Sequence, residues 1–409
     1  MVNKKRILVL GINCFPELTG IGKYSGEMVT WLAENGHETT MITAPPYYPN
    51  WKVQKPYNGN WYKKECFIDG KLIIYRCPLY VPSNPKGIKR LLHEASFFLS
   101  ASLVVFLLLF KKKQDIIFSI SPPFHLGFLA LLYRFFKGGK IVYHVQDLQI
   151  EAAKELNILN SARMFDVLFA MERSILNKVN VVSTISDGMI KKVQQKVNKK
   201  VLFFPNWVDT ENFHPLANRK MLKVKWGYDA DDWIVLYSGS IGEKQGLDAL
   251  IRTAFQVKQH KSIKFIICGT GPYKEELIRL AKADNLDNIK FMPLQDHQVF
   301  NEFLNMVDVH LIMQRGNASD LVMPSKLTTI LAVGGNALVT ANEGTTLHSV
   351  INKNKMGEVI DAEDEFLLAK TISEMANNDN IQGGVNARLY AEQFLDKRNI
   401  LPKLMSDIS

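Results

Sequence analysis

Residues 234–251 join an apolar strand, a glycine-rich loop and an amphipathic helix, and they constrain the fold more than any other part of the chain. The apolar run at 234–237 predicts a buried strand, and helical spacing of apolar residues begins at Leu247. Between them lie Gly239, Gly242, Lys244 and Gly246. Glycines let the backbone approach a ligand without a Cβ in the way, and the first N–H groups of the next helix face an anion. The segment therefore predicts an anion site, suited to phosphate, at the end of a strand.

A related arrangement opens the chain, where a strand at 7–11 is followed by a loop containing Gly20 and Gly22 and by a helix at 24–35. Strands and helix-length segments alternate after both loops, which predicts two open, parallel α/β sheets. A chain of 409 residues is also too long for one ordinary core. We predict domains at 1–205 and 206–385, with the hinge at Pro205-Asn206, and a C-terminal helix within 386–409 that packs back on the first domain.

Charge and cysteine usage exclude several classes of protein. Residues 1–205 carry 28 Lys+Arg against 14 Asp+Glu, whereas the remainder carries 22 against 26. No helix-turn-helix, zinc-finger or single-strand-binding pattern accompanies the basic half, so we expect no nucleic-acid partner. The four cysteines show no C-x-x-C spacing, so we expect no metal and no cofactor. A reducing cytoplasm fits this pattern.

Two apolar segments, 97–110 and 124–136, raise the question of a membrane. The first is followed by Lys111-Lys112-Lys113 and is shorter than the roughly 20 residues that a spanning helix needs. One interpretation is two buried core helices. The other is a monotopic contact, in which apolar side chains enter the headgroup region and nearby lysines bind anionic lipid. We favour the second, because the excess positive charge lies in this half, and predict peripheral attachment to the inner face of the cytoplasmic membrane.

Six short motifs together resemble the retaining glycosyltransferases of family 4, and the resemblance covers nearly the whole chain. The motifs are T-G-I-G-K-Y at 19–24, F-P-N-W-V-D at 204–209, S-G-S-I-G-E-K-Q-G-L at 238–247, C-G-T-G-P at 268–272, M-P-S-K-L at 323–327 and A-V-G-G at 332–335. Together with V-Q-D-L at 145–148, the residues of these motifs are most similar to those of transferases of colanic acid and O-antigen assembly. Those enzymes add L-fucose or N-acetyl-L-fucosamine to a lipid-linked oligosaccharide. The resemblance implies a GT-B fold, in which two Rossmann-like domains face each other across a cleft.

The resemblance also implies a donor site for a UDP- or GDP-linked sugar in the second domain, and a polyprenyl-diphosphate-linked oligosaccharide as acceptor. Lys244 and Lys326 would contact the diphosphate, while Leu294-Gln295 would lie near the base. The remaining implied donor residues are Gly20, Gly22, Gly239, Ser240, Gly269, Gly271, Pro324, Ser325 and Thr329. For Lys326 an ordinary solvated lysine is an equal alternative, and for Leu294-Gln295 ordinary loop packing is one.

Two motifs depart from the family pattern. Family members usually carry an arginine after the first glycine of the donor loop, where this chain has Ser240. Members also carry a Glu-x7-Glu pattern, whose two positions fall here on Leu321 and Thr329, with Asp320 adjacent to the first. Asp320 would replace the sugar-facing carboxylate only with a shift of one residue, and Thr329 would serve as a ribose partner.

The chemistry implied by the resemblance is transfer with retention at the anomeric carbon, by a front-face route that needs cations at the leaving diphosphate more than a strong base. Lys244 is the first such cation. In the first domain, Asp147 and Glu151 are candidate catalytic residues that would position the acceptor or stabilise the oxocarbenium-like sugar, and His144 is a further candidate. His144 as a core histidine on its strand, and Glu151 as a helix-start carboxylate, are the competing interpretations.

Three other functions remain as alternatives. A sugar-nucleotide 2-epimerase shares the two-domain fold but needs no basic and apolar surface at 86–113. A nicotinamide dehydrogenase is disfavoured, because the first loop lacks G-x-G-x-x-G. A non-catalytic membrane-associated scaffold would explain the broken Glu-x7-Glu pattern, and nucleotide binding distinguishes it from an enzyme.

Overall fold

The protein is described here by a computed structural model, which describes residues 4–17, 20–59, 61–83, 85, 87–155, 162–313, 324–378 and 381–408. The chain divides into two compact units. The N-terminal unit comprises Met1–Pro205 and Lys403–Ser409, and the C-terminal unit comprises Asn206–Pro402. Each unit is built on one sheet flanked by helices, so the predicted class of two parallel-sheet α/β domains is confirmed.

The sheet of the N-terminal unit has the strand order β3-β4-β2-β1-β5-β6-β7-β8. Every neighbouring pair is parallel except β3 and β4, which form an antiparallel edge that the sequence did not predict. The strand order reverses direction between β1 and β5, which makes that position the topological switch point where α/β proteins bind ligands. The strands are β1 (Arg6–Leu10), β2 (Glu38–Thr43), β3 (Lys63–Phe67), β4 (Leu72–Arg76), β5 (Ile116–Ser121), β6 (Lys140–Val145), β7 (Val181–Thr184) and β8 (Val201–Phe203).

Six helices of the described chain connect these strands. They are α1 (Gly20–Glu34), α2 (Ile88–Leu108), α3 (Leu126–Lys137), α4 (Gln149–Glu155), α5 (Ala162–Lys178) and α6 (Asp187–Gln194). The irregular segment between β2 and β3 forms neither helix nor strand at 46–59, as its prolines predict.

Helix α2 is longer than the sequence predicted. It has 21 residues, because a polar first part that includes the i,i+4 pair Arg90–Glu94 extends the apolar segment by nine residues towards the N-terminus. The expectation that this segment is too short to cross a membrane is therefore wrong as a statement about helix length. By length and composition α2 could cross a membrane, with a mean hydropathy of 1.9. However, 44% of its most apolar 18-residue stretch is buried inside the N-terminal unit.

The sheet of the C-terminal unit has the order β11-β10-β9-β12-β13-β14, with all strand pairs parallel. Its switch point lies between β9 and β12. The strands are β9 (Trp233–Ser240), β10 (Ile263–Thr270), β11 (Ile289–Met292), β12 (Val309–Met313), β13 (Ala337–Thr340) and β14 (Gly357–Ile360). The helices are α7 (Arg219–Lys225), α8 (Asp248–Gln256), α9 (Lys274–Ala283), α10 (His297–Asn305), α11 (Lys326–Ala332), α12 (Thr346–Lys353), α13 (Glu365–Ala376), α14 (Ile381–Tyr390) and α15 (Lys397–Asp407), the last of which ends in the N-terminal unit.

Both faces of this second sheet are buried. Successive side chains of β9 point to opposite faces, so Ile234 and Leu236 join one apolar cluster while Val235 and Tyr237 join the other. Burial on both faces explains why the strands appear in the sequence as continuous apolar runs instead of alternating ones. The carboxyl edge of this sheet, and not a face, is therefore the surface left for a ligand.

The C-terminal tail differs from the single amphipathic helix predicted within 386–409. Helix α14 runs into a π-helical turn at Ala391–Leu395, and α15 begins only after Asp396. Asp396 interrupts the helix because its carboxylate accepts a hydrogen bond from Thr210 Oγ1 (2.5 Å) and forms an ion pair with Arg398 (2.7 Å), while its backbone bridges to Val208.

Arg388 connects α14 both to the segment 210–213 and to the end of α11. Its guanidinium donates to the backbone oxygens of Phe213 (2.8 Å), Ala332 (2.7 Å) and Thr210 (3.1 Å), and it pairs with Glu392. Ala332 is the last residue of α11. The tail is therefore part of the structure that fixes this helix.

Candidate functional site

The carboxyl edge of the C-terminal sheet is shaped by glycines on two neighbouring strands. Gly239 of β9 and Gly269 of β10 are paired in register. A Cβ on Gly269 would lie 1.9 Å from the Gly239 oxygen, and one on Gly271 would lie 2.0 Å from the Ile241 oxygen. No side chain fits at either position without a shift of the backbone. Because Gly269 and Gly271 carry no side chain, the segments that follow β9 and β10 pack directly against each other. They form the base of the candidate site at the carboxyl edge of the sheet.

The loop after β9 closes with a short 3₁₀ helix at Glu243–Gln245 and with Gly246, whose φ of 66° lies in the left-handed region. Gln245 Oε1 accepts a hydrogen bond from the Gly242 N–H at 3.1 Å, which fixes the turn. Lys244 lies within this helix, but its side chain is outside the described part of the structure. Its predicted contact with a diphosphate stays a prediction.

Lys326, the first residue of α11, places its amine beside the first glycine of this loop. Nζ lies 3.6 Å from the centroid of the Tyr237 ring and 3.8 Å from where a Cβ of Gly239 would stand. The amine is enclosed and has no hydrogen-bond partner among the described residues. Burial lowers the pKa of Lys326 to about 7. This geometry does not fit the alternative of an ordinary solvated lysine.

Two residues that the sequence did not indicate support this arrangement. The Tyr237 hydroxyl donates to the Ser240 oxygen at 2.7 Å, so the ring that lies beneath Lys326 also braces the loop. Lys274 Nζ donates to the oxygens of Gly269 (3.2 Å) and Met292 (3.4 Å), which joins β10 to β11. Tyr237 lies inside an apolar run and Lys274 inside a charged helix, so neither stands out by residue type.

The other predicted donor residues lie around the same edge or outside the described chain. Leu294 is 39% exposed after β11, and Gln295 donates to the Pro293 oxygen at 2.7 Å. Asp320 lies outside the described residues, as does Leu321. Of the residues at the start of α11, Pro324 is half-buried, Ser325 is exposed, and Thr329 is buried in the core-facing part of the helix.

In the N-terminal unit, the predicted glycines are used for packing. Gly20 begins α1 with a φ of 58°, and a Cβ on Gly22 would lie 2.6 Å from the Glu17 carboxylate. Glu17 accepts hydrogen bonds from Asn13 Nδ2 (2.8 Å) and from the N–H groups of Tyr47 and Tyr48 (2.9 Å each). Burial raises the pKa of Glu17, and these three hydrogen bonds oppose that shift. Glu17 therefore anchors the aromatic loop after β2.

The three predicted catalytic side chains of this unit lie in different surroundings. Asp147 lies two residues after the end of β6 and is half-buried. Glu151 pairs with Lys196, which also binds Glu172 at 2.5 Å, so the carboxylate of Glu151 is held in an internal ion-pair cluster. His144 lies within β6, and its Nδ1 is 3.0 Å from Ser183 Oγ.

Burial lowers the pKa of His144 to about 3, which leaves it uncharged at neutral pH inside the sheet. The structure therefore supports the alternative interpretation of His144 as a core histidine. Among the side chains that the structure describes, no group of three or more His, Cys, Asp or Glu residues is arranged to hold a metal ion.

The strand orders, the two switch points and the glycine-lined edge define a GT-B glycosyltransferase fold. Two family descriptions match the chain: "Glycosyl transferase 4-like domain" over residues 19–207 and "Glycosyl transferases group 1" over residues 218–390. The chain belongs to this family of glycosyltransferases.

Particular relatives agree with this assignment. The provisionally assigned colanic acid biosynthesis glycosyl transferase WcaI of Escherichia coli (strain K12) is 40% identical over 410 residues, covering 98% of this chain and 99% of the relative. Among solved structures, sucrose-phosphate synthase from Thermosynechococcus elongatus aligns with a TM-score of 0.77 at 14% identity, covering 98% of each chain. HepE of Anabaena, in complex with UDP and glucose, aligns with a TM-score of 0.71 at 12% identity, covering 98% of this chain and 99% of HepE.

Proposed function

We propose that the protein is a retaining glycosyltransferase that moves L-fucose from GDP, or N-acetyl-L-fucosamine from UDP, to a polyprenyl-diphosphate-linked oligosaccharide in exopolysaccharide or O-antigen synthesis. The single observation that carries the proposal is the enclosed amine of Lys326 beside the Gly239 loop. A buried amine without a partner is costly, and a diphosphate would supply the missing acceptor oxygens. The similarity to WcaI supports the assignment to polysaccharide synthesis.

The reaction proposed is a front-face displacement at the anomeric carbon. The bond from that carbon to the diphosphate oxygen breaks, and its electron pair leaves with the nucleoside diphosphate. The acceptor hydroxyl forms the new bond on the same face, and its proton passes to the departing diphosphate oxygen. Lys326 and Lys244 would stabilise the developing negative charge, which removes the need for a strong protein base and for a metal ion.

The donor is tested by titrating UDP and GDP separately into the purified protein in a calorimeter. Tight binding of UDP supports N-acetyl-L-fucosamine, and tight binding of GDP supports L-fucose. Lys326→Met and Lys244→Ala should each weaken the binding of the preferred nucleotide at least about tenfold, because each removes a charge-assisted contact. Lys282→Met, on the exposed side of α9, is the matched control. Failure of both nucleotides to bind would favour the scaffold alternative.

Transfer itself needs its own assay, with chelator present in one arm. Retained anomeric configuration in the product and undiminished turnover in EDTA are the expected results. Inverted configuration would overturn the front-face route, and loss of turnover in EDTA would overturn metal independence. Interconversion of the sugar nucleotide without transfer would favour the 2-epimerase alternative.

We also propose that α2 and α3 attach the enzyme to the anionic inner face of the cytoplasmic membrane. One side of α2 packs in the core, while its other side exposes large apolar residues that continue onto α3. This exposed set is Leu92, Leu99, Leu103, Phe106, Leu107, Leu132, Phe135 and Phe136. Lys111-Lys112-Lys113, all exposed, begin three residues after the end of α2. An apolar surface beside a basic cluster fits lipid acyl chains and anionic headgroups together.

Vesicle sedimentation tests the attachment. The protein should bind vesicles containing phosphatidylglycerol better than pure phosphatidylcholine vesicles. The pair Leu103→Glu and Phe106→Glu should abolish binding. Phe366→Glu, at a position 73% exposed on α13 of the other unit, is the control. Equal binding of both vesicle types, or no effect of the pair, would contradict the proposal.

A further inference from the structure

A second enclosed, unpartnered group lies at the switch point of the N-terminal unit. His125 follows β5, the strand next to β1 at which the strand order reverses. Its Nε2 is enclosed and has no hydrogen-bond partner among the described residues. A neutral imidazole that carries its proton on Nδ1 leaves Nε2 as an acceptor. An enclosed acceptor without a donor is costly, which indicates that a ligand supplies the missing donor.

The surroundings of His125 hold the ring in one orientation. The Gln149 amide donates to both oxygens of the buried Glu94 carboxylate at 2.8 Å, and Gln149 Oε1 accepts from the Phe124 N–H at 3.2 Å. These bonds tie α2, the turn before α3 and the start of α4 into one rigid group. Arg90 is the other charged residue facing Glu94, at 3.3 Å. The elements that surround the His125 ring are thus held together by hydrogen bonds.

Aromatic rings flank the same histidine. Phe98 of α2 and Phe124 contact the His125 ring, with centroid distances of 5.3 Å and 5.6 Å and steep interplanar angles. Aromatic faces beside a fixed hydrogen-bond acceptor suit a sugar, which presents C–H groups on its face and hydroxyls at its edge. Helix α2, which contacts the His125 ring through Phe98, also carries the proposed membrane surface, so the ring lies beside an element that would meet a lipid-linked molecule.

We propose that His125 Nε2 accepts a hydrogen bond from a sugar hydroxyl of the acceptor and thereby positions the acceptor at the carboxyl edge of the N-terminal sheet. The inference rests on the proposed glycosyl transfer, and it adds a substrate-positioning residue that none of the sequence motifs contains. Burial lowers the pKa of His125, and the nearby Glu94 opposes that shift without reversing it. The ring is therefore neutral near pH 7 and able to accept.

The direct test uses protein labelled with ¹⁵N-histidine and three probes: the octyl β-glycosides of glucose, galactose and N-acetylglucosamine. The His125 Nε2 resonance should move with at least one of them. It should not move with octylphosphocholine, which has the same chain and no hydroxyl. A resonance that moves with none of the three glycosides overturns the inference, as does one that moves equally with octylphosphocholine.

Variants then separate positioning from a structural role. His125→Leu should weaken binding of the responsive glycoside at least about tenfold, while His125→Gln, which keeps an acceptor oxygen, should restore most of it. The affinity of wild type should fall as the pH drops through the His125 pKa, below 6.5, because a protonated ring cannot accept; His125→Gln should lack this fall. His37→Gln is the control, since His37 is 1% exposed at the opposite edge of the same sheet.

UDP and GDP are titrated into the same samples. Unchanged nucleotide affinity in His125→Leu shows that the protein is folded and that the effect is confined to the acceptor. If the nucleotides bind and His125→Leu binds glycoside like wild type, the inference about His125 is wrong while the proposed function is unaffected. If neither nucleotide binds to wild type, it is the proposed function that fails.

Discussion

Replacing Lys326 by methionine should make the ligand-free protein more stable, although it removes a residue that we assign to donor binding. Burial lowers the pKa of this amine from 10.5 to about 7. Because one pKa unit corresponds to about 1.4 kcal/mol, holding the amine in place costs the folded state about 4 kcal/mol at pH 7. The contact of the ammonium with the Tyr237 ring returns about 2 kcal/mol when desolvated. Methionine has a similar shape and no charge, so we expect a net gain of about 2 kcal/mol.

The dependence on pH gives this prediction a characteristic sign. The free-energy cost of burying the Lys326 amine has its full value below the pKa of the amine in the folded state, about 7. The cost decreases as the pH rises and disappears above the pKa of the amine in the unfolded state, 10.5. The free energy of unfolding of Lys326→Met should therefore exceed that of wild type by about 2 kcal/mol at pH 7 and by only about 1 kcal/mol at pH 9.5.

Urea unfolding followed by tryptophan fluorescence at both pH values measures this difference. Lys282→Met serves as the control and should match wild type throughout. A Lys326→Met protein that is less stable than wild type at pH 7, or whose advantage grows at pH 9.5, would refute the reasoning. Such a result would mean that Nζ is well solvated or paired in the free protein.

Three further predictions concern Lys326, Gly269 and Lys196. Binding of the preferred nucleoside diphosphate at pH 8 should take up close to one proton, because the phosphate charge raises the pKa of Lys326; calorimetry in buffers of different ionisation enthalpy measures the uptake. Gly269→Ala should destabilise the C-terminal unit by more than about 3 kcal/mol in urea unfolding, since its Cβ would lie 1.9 Å from the Gly239 oxygen, and wild-type stability would contradict the packing. Lys196→Met should lower the free energy of unfolding by about 3–5 kcal/mol at pH 7, because it leaves the carboxylates of Glu151 and Glu172 without their cation. That loss should diminish towards acidic pH as Glu172, whose pKa burial already raises, becomes protonated.

The sequence predicted the central strands of both sheets well because their side chains are buried on both faces, which produces continuous apolar runs. It did not predict that β9 continues through Gly239 to Ser240, because glycine is a poor strand former in isolation. The glycines belong to the strand here because Gly239 and Gly269 pair across it. In the same way, the break at Asp396 depends on Thr210, which lies 186 residues earlier.

The candidate site was only partly visible for a similar reason. Glycine loops and the P-S-K motif are local patterns, so they indicated Gly239 and Lys326 directly. Residues whose role depends on a partner far away in the sequence give no local signal. Tyr237 is recognisable only by its contact with Lys326, and His125 only by its position close to Glu94. Conversely, His144 stood out by residue type alone, and the fold places it inside the sheet.

The three carbonyl contacts of Arg388 have a practical consequence for anyone who wishes to produce the donor-binding half separately. A fragment of residues 206–380 contains all six strands of the second sheet and looks complete by secondary structure. It would nevertheless lack the guanidinium that joins Thr210 and Phe213 to the end of α11, the helix whose first residue is Lys326. A fragment intended for crystallisation or nucleotide screening should therefore extend through residue 402, where the compact unit ends.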